Sequence, residues 1–249
     1  LYDPKIEQTE SGKRYVESEL PKLVVARPGA AAGNVFVTKS IAEAVTGVWM
    51  VVEAIPERLE LKRTLFGELD KLAPEDAVLA SNSSSFPSRQ LIDEVTRPQR
   101  VVNTHYYMPP EQLAVEVMSC GQTDAAVIAL LMQRLPAYGL VPFHVRKESV
   151  GLIFNRIWAA LKRESSSVVA EGVSTPEDID CIAHVLTGAS MGPFRMMDKV
   201  GLDVVLDIEE HYAAIRSDIS AGPRELLKKY IDAGRLGKKA GRGFYDDYQ

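Results

Sequence analysis

The sequence predicts an α/β protein: an incomplete, doubly wound and mostly parallel sheet, followed by an all-helical C-terminal domain. Three observations carry this. Short continuous apolar runs alternate with helical patterns through the first half, as buried strands between covering helices do. From Gly151 onward no strand run occurs, and apolar residues repeat at helical spacing instead. The change of pattern falls just after Val145, which sets the expected domains at residues 1–148 and 149–249.

Val48–Val52 is the first clear apolar run and reads as a strand buried on both faces. A helical pattern follows, with Leu61, Leu65, Leu69 and Leu72 on one stripe and Phe66 beside it. Ala77–Ala80 is a second buried strand, running into the polar stretch Ser81–Ser85. A helix over Arg89–Val95 leads to a third strand at Val101. Ala125–Leu135 reads as a helix and Leu140–Val145 as a further strand. In the second half Leu152–Glu171 reads as one long helix, striped by Ile153, Ile157, Ala160 and Leu161. Thr175-Pro176-Glu177-Asp178 starts another, with a capping hydroxyl, proline in the first turn and acids next. Lys199–Ile215 and Arg224–Ala233 are also helical by pattern, and Gly234 and Gly237 end the last one.

Composition narrows the function classes. The 249 residues are 46% hydrophobic and 25% charged, ordinary for a water-soluble globular protein. A net charge of -5 argues against nucleic acid as the main partner, since such binders usually show a basic face. Two cysteines, Cys120 and Cys181, make neither a disulfide framework nor a zinc pattern, so a reducing compartment, the cytoplasm by default, is expected. No apolar run approaches the roughly 18 residues that a membrane helix needs. No metal site is expected. The start at Leu1 lacks methionine and reads as neither a signal nor a transit peptide.

The chemistry concentrates on one pair. His105 and Glu116 lie on two apolar runs separated by Pro109-Pro110, which interrupt any ladder between them. If the chain turns there, Glu116 on the returning run faces the ring of His105. A carboxylate on one ring nitrogen fixes the tautomer and favours the imidazolium, which makes a general base usable near neutral pH. Other positions admit two readings. Asp3 ends a short apolar start and suits either a ribose contact or plain solvation. Glu57 and Lys62 follow the first strand, where ligands of open parallel sheets bind, yet Glu57 equally suits a first helical turn. Lys62 is placed to meet a phosphate or that carboxylate. The Ser81–Ser85 hydroxyls and amide suit a substrate oxygen or a nicotinamide, or a polar turn with a helix cap. Asn155, flanked by apolar residues, is either a buried structural amide or a catalytic donor.

Taken in order, these segments resemble the L-3-hydroxyacyl-CoA dehydrogenases. The likeness rests on Val51-Val52-Glu53-Ala54-Ile55, Ala80–Ser85, His105, Val115-Glu116-Val117, Gly151–Arg156, Met191-Gly192-Pro193-Phe194, Gly201-Leu202-Asp203 and Gly241–Tyr245. Several motifs in one order are far more specific than one motif alone. The resemblance implies a Rossmann-like NAD-binding domain and a helical substrate and dimerisation domain. It implies oxidation of a 3-hydroxyacyl thioester or related 3-hydroxy acid with NAD, in a homodimer. His105 would be the base and Glu116 its orienting acid, with Ser84 and Asn155 on the reacting substrate. The cofactor contacts would fall on Asp3, Ala54, Glu57, Lys62 and Asn82.

Three departures accompany the likeness. No G-x-G-x-x-G occurs in the sequence, so the strand and glycine turn that seat a pyrophosphate are missing before Leu1. The chain is then either a piece of a longer protein or a short form. Met108 stands where the family usually has asparagine, and the loop from His105 to Glu116 is one residue shorter than the common pattern. Two alternatives follow from these departures: an NAD-independent dehydratase, isomerase, cyclase or lyase using the same dyad, or a non-catalytic dimeric scaffold.

Overall fold

Five strands stand side by side in chain order in the first of two units, Leu1–Ile153. The structure is a computed structural model that describes residues 1–248. The strands are β1 (Met50–Glu53), β2 (Val78–Ser81), β3 (Val101–Tyr106), β4 (Ala114–Ser119) and β5 (Val141–Val145). β1, β2 and β3 run parallel, β4 turns back against β3, and β5 runs parallel to β4. The apolar runs form strands because both faces are covered: every residue of β2 and five of the six in β3 are buried. One side of the sheet packs against α3 (Leu59–Leu72) through Phe66, Leu69, Leu79 and Leu91. The other packs against α4 (Ala125–Arg134) through Ile128, Leu131, Val102 and Val117.

Two shorter pieces precede the sheet. Helix α1 (Ile6–Val25) has only Thr9 buried and contains Pro21. It carries no wide apolar stripe, which is why periodicity does not reveal it. Tyr2 and Thr38 form an isolated parallel bridge, and α2 (Ile41–Ala44) is capped by the Ser40 hydroxyl. The expected strand ending at Asp3 is therefore reduced to one bridged residue. Asp3 instead accepts a hydrogen bond from the Lys5 amide at 2.7 Å, just ahead of α1.

The expected helix over Arg89–Val95 is a 3₁₀ turn, Ser88–Leu91. It is pinned from outside, since the buried Asn103 amide oxygen accepts from the Ser88 N–H at 2.6 Å. Asp70 fixes the end of α3 to the loop that leads into β3. It accepts from the Thr96 amide at 2.8 Å and from Arg100 at 3.0 Å. Burial raises its pKa, but Thr96 and Arg100 together pull it below the ordinary carboxylate value.

The second unit, Phe154–Gln249, is helical: α5 (Phe154–Ala170), α6 (Pro176–Thr187), α7 (Pro193–Val200), α8 (Leu202–Ile215) and α9 (Gly222–Asp232). Its core gathers Phe194, Met197, Leu202, Val205, Leu227 and Phe244. The single helix expected over Lys199–Ile215 is two helices, broken at Gly201, which adopts φ +105°. A side chain there would also crowd Asp203 and Lys239. Two buried aspartates organise the end of the chain. Asp180 accepts from the Phe194 and Arg195 amides that open α7, at 2.8 and 2.9 Å. Asp198 accepts from the Phe244 and Tyr245 amides and from the Tyr248 hydroxyl. Gly243 passes so close to Asp198 that any Cβ would overlap the carboxylate. Among the described residues no helix is long and apolar enough to cross a membrane. Cys120 and Cys181 are free thiols.

Within α5, Lys162 is only 3% exposed, next to the Arg163–Glu209 ion pair (2.7 Å), whose glutamate is buried. Burial lowers its pKa from 10.5 to about 8, outweighing the attraction of Glu209. A depressed lysine pKa opposes folding while the group is charged. That cost is full below about pH 8 and fades as pH rises toward 10.5. Lys162→Met should therefore stabilise the protein at pH 7 by about 1–3 kcal/mol. The gain should shrink as unfolding is measured at increasing pH between these two values, and a variant less stable than wild type at pH 7 would contradict this account.

Candidate active site

The carboxyl ends of β1, β2 and β3 open onto one cleft of about 290 Å³. Ala54, Ile55, Glu57, Lys62, Asn82 and Ser84 line it, with His105 at one side. Parallel strands that end together leave such a crevice, and ligands of open α/β sheets bind there. β1 leaves the sheet into Ala54 and Ile55, while β2 runs out through Ser81-Asn82-Ser83-Ser84. Asn82 is tied on both sides: its amide N–H donates to the Glu53 carbonyl at 2.9 Å, and its side-chain oxygen accepts from the Tyr106 N–H at 2.8 Å.

Antiparallel pairing of β3 with β4 sets His105 directly opposite Glu116. Both side chains then fall on the same face of the sheet. Nδ1 of His105 lies 3.3 Å from Oε2 of Glu116, and both residues are buried. The other carboxylate oxygen accepts from the Ile153 N–H at 2.9 Å, which fixes the acid's orientation. With Nδ1 turned to the carboxylate, Nε2 is the ring nitrogen that Glu116 does not hold. The Tyr107 ring meets the His105 ring edge-on, with centroids 4.7 Å apart. Burial first, and then the Glu116 carboxylate beside its hydroxyl, push the Tyr107 pKa up, so this phenol stays protonated.

Lys62 does not reach out of the cleft. Its ammonium, 1% exposed, donates to Glu53 at 2.6 Å and to the Ile55 carbonyl at 3.0 Å, and lies 3.2 Å from Glu57. Of the two partners the sequence left open, phosphate or carboxylate, it meets carboxylates. Glu57 in turn accepts from the Ser83 hydroxyl at 2.8 Å and from the Ser84 N–H at 3.2 Å. Ser84 itself is exposed and lines the cleft.

The cleft therefore brings together Ala54, Glu57, Lys62, Asn82, Ser84 and His105, with Glu116 behind the histidine. Asp3 is not part of its lining and is engaged at the start of α1. Asn155 stands half-buried in the first turn of α5, in the second unit. Three contributors escaped sequence reading: Glu53, Ser83 and Tyr107. Each is a common residue in a segment already marked as interesting, and neither spacing nor composition shows which carboxylate turns inward. Among the described residues no group of three His, Cys, Asp or Glu is placed to hold a metal ion.

Because Asn82 joins the ends of β1 and β3, Asn82→Ala should lower stability by about 1–2 kcal/mol, the cost of leaving the Tyr106 N–H without its acceptor. Asn82→Asp, which keeps an acceptor oxygen, should lose less. Equal losses in a denaturant series would show that the acceptor is not what matters.

Comparison with known proteins agrees with this architecture. Residues 1–149 match the model of the 3-hydroxyacyl-CoA dehydrogenase NAD binding domain, and residues 151–247 that of the 3-hydroxyacyl-CoA dehydrogenase C-terminal domain. The human mitochondrial hydroxyacyl-coenzyme A dehydrogenase is 31% identical over 96% of this chain and 82% of its own length. A 5-formyl-3-hydroxy-2-methylpyridine 4-carboxylate 5-dehydrogenase of Mesorhizobium japonicum is 31% identical over 96% of this chain and 79% of its own. The crystal structure of (S)-3-hydroxybutyryl-CoA dehydrogenase PaaH1 from Ralstonia eutropha superposes with a TM-score of 0.84 at 28% identity, covering 97% of this chain and 87% of that one. A parallel-sheet cleft ahead of a helical unit, matched by both domain models over nearly its whole length, makes this chain a member of the 3-hydroxyacyl-CoA dehydrogenase family.

Proposed function

We propose that this chain oxidises a 3-hydroxyacyl thioester, or a related 3-hydroxy acid, with NAD, using His105 as base and Glu116 as the acid that orients it. The observation that carries this reading is the His105–Glu116 pair, buried and 3.3 Å apart, with the histidine lining a cleft at the ends of parallel strands.

The residues present fit the nicotinamide end of the cofactor. Lys62 is neutralised by Glu53 and Glu57, so the cleft lining offers a phosphate little attraction. The same surroundings suit a cationic nicotinamide ring, its carboxamide and ribose hydroxyls. Ala54, Glu57, Asn82 and Ser84 would hold that end, with Lys62 fixing Glu57 from beneath; Asp3 is proposed for the ribose of the adenosine half. When bound, NAD supplies the hydride acceptor for alcohol oxidation. The protein's own share is the proton. His105 Nδ1–H donates to Glu116, leaving the Nε2 lone pair to take the substrate hydroxyl proton. Glu116 then stabilises the imidazolium, and its second oxygen stays held by the Ile153 amide. The exposed Ser84 hydroxyl would donate to the substrate oxygen as it becomes a carbonyl, with Asn155 proposed for the same oxygen or the thioester carbonyl.

The expected partner is a second copy of the chain. Helix α5 leaves Ile157 and Leu161 exposed, and α6 leaves Ile182, Val185 and Leu186 exposed at helical spacing. Val185 and Leu186 are 71% and 76% exposed, unusual for a monomer's surface when they stand together. Two free cysteines suit a reducing compartment such as the cytoplasm.

His105→Asn should lower kcat by about 10² to 10⁴ with an unchanged melting temperature, and Glu116→Gln should lower it less. Turnover that survives His105→Asn, or that proceeds without NAD, would overturn the proposed chemistry. Quenching of nicotinamide fluorescence on adding protein to NADH tests cofactor binding directly. For the assembly, sedimentation should give a dimer in the wild type and a monomer in Leu186→Glu. A wild-type monomer at all concentrations would remove the dimer from the proposal.

A further inference from the structure

We infer that Glu53 is the positioning residue of the cofactor cleft: one buried carboxylate that sets the places of Lys62, Glu57 and the Ser83–Ser84 segment. This rests on the reading of the cleft as the nicotinamide site. Glu53 ends β1 and is 3% exposed, a costly place for a carboxylate unless every oxygen is satisfied. Each one is. Oε1 accepts from Lys62 Nζ at 2.6 Å and from the Ile55 N–H at 2.7 Å. Oε2 accepts from the Ser81 hydroxyl at 2.6 Å. The carbonyl of the same residue accepts from the Asn82 N–H. One residue therefore ties the end of β1 to the end of β2 and to the first turn of α3.

The consequences spread outward in two directions. Held by Glu53, Lys62 also donates to the Ile55 carbonyl and pairs with the Glu57 carboxylate. Two hydrogen bonds and two carboxylates thus hold the ammonium in place and keep it from swinging into the cleft. Glu57, 40% exposed at the rim, is aimed by that contact and by Ser83 and Ser84. On the other side, the Ser81 hydroxyl gives its proton to Glu53 and so presents its lone pairs to the Ser83 N–H, at 3.2 Å. Ser83 then uses its hydroxyl on Glu57 and accepts from the Phe86 N–H at 2.8 Å. Both branches start at Glu53 and rejoin at Glu57, which closes a ring of hydrogen bonds and ion pairs along the cleft wall. Glu57, Lys62 and Ser83 line the cleft while Glu53 and Ser81 do not, so Glu53 acts through others rather than on a ligand.

The ring makes a specific demand on charge. Lys62 has two carboxylates against it, and removing the buried one lets the ammonium pull Glu57 inward. Glu53→Gln keeps the size and removes that charge. In the full chain it should raise the KM for NAD about tenfold or more, as loss of hydrogen bonds to a charged group does, while kcat moves less than about threefold. The amides of Ile55, Ser83 and Ser84 should exchange with deuterium about tenfold faster than in the wild type. Ser81→Ala, which breaks only the second branch and carries no charge into the core, should give the same changes at smaller size. A purely structural role would lower the melting temperature and leave KM for NAD and those amides alone; that result in both variants overturns the inference. Should wild-type protein fail to bind NADH, the proposed function falls, and the amide exchange still decides for or against Glu53 as the residue that sets the cleft.

Discussion

Side chains on a strand alternate between two faces, so a partnership between residues on paired strands survives only in one register. β3 and β4 pair with Val102 opposite Ser119 and Tyr106 opposite Val115, and this brings His105 and Glu116 face to face. A slip of one residue would send the carboxylate to the other side of the sheet. The register is held by burial as well as by the ladder, since Val102, Val115 and Val117 all belong to the core under α4. The same packing that stabilises the sheet thus aims the proposed base. The cleft inherits its shape from the parallel half of the sheet, where three strands end together, and its only charged walls are tied to one another.

Three of the ion pairs bury one or both of their charges. Glu53 with Lys62, Asp70 with Arg100 and Arg163 with Glu209 each place an acid against a base at 3.0 Å or less. Buried pairs of this kind add little net stability over apolar substitutes, but breaking one partner away is expensive. Their value here is geometric. Asp70 holds the loop where β3 begins, and Glu53 joins the ends of β1 and β2 beside the cleft. Lys162 stands apart: burial dominates its environment, and it is the member of these networks whose charge the fold opposes.

Much of the architecture was legible because burial writes itself into sequence. Ala77–Ala80 and Val101–Val102 are apolar without interruption, and they became the two most enclosed strands. Thr175-Pro176 opened α6 as capping chemistry requires, with the threonine hydroxyl accepting from Asp178. What escaped was set by tertiary context. α1 lies mostly in solvent and leaves no stripe to read. The break at Gly201 depends on Lys239 and Leu236 arriving from far along the chain. The Ser88 turn depends on Asn103. At the site, spacing brought His105 and Glu116 to attention, and their strands do pair; of the ring at the cleft only the Lys62–Glu57 contact was among the alternatives, because sequence records that Glu53 and Lys62 exist but not that both face inward.

Residues 244–248 are bound into the helical unit rather than draped on it. Asp198 gathers two backbone amides and a phenol from residues 244–248, and Phe244 sits between the rings of Phe194 and Tyr230. Arg195 lies over the Tyr245 ring at 3.5 Å and grips Asp247. Clipping the chain at the exposed Lys238–Arg242 loop would strip a fully buried anion of every one of these partners and open a hole where an aromatic ring had been. The segment is a keystone of the helical unit, and a cut ahead of it would act on folding rather than on an appendage.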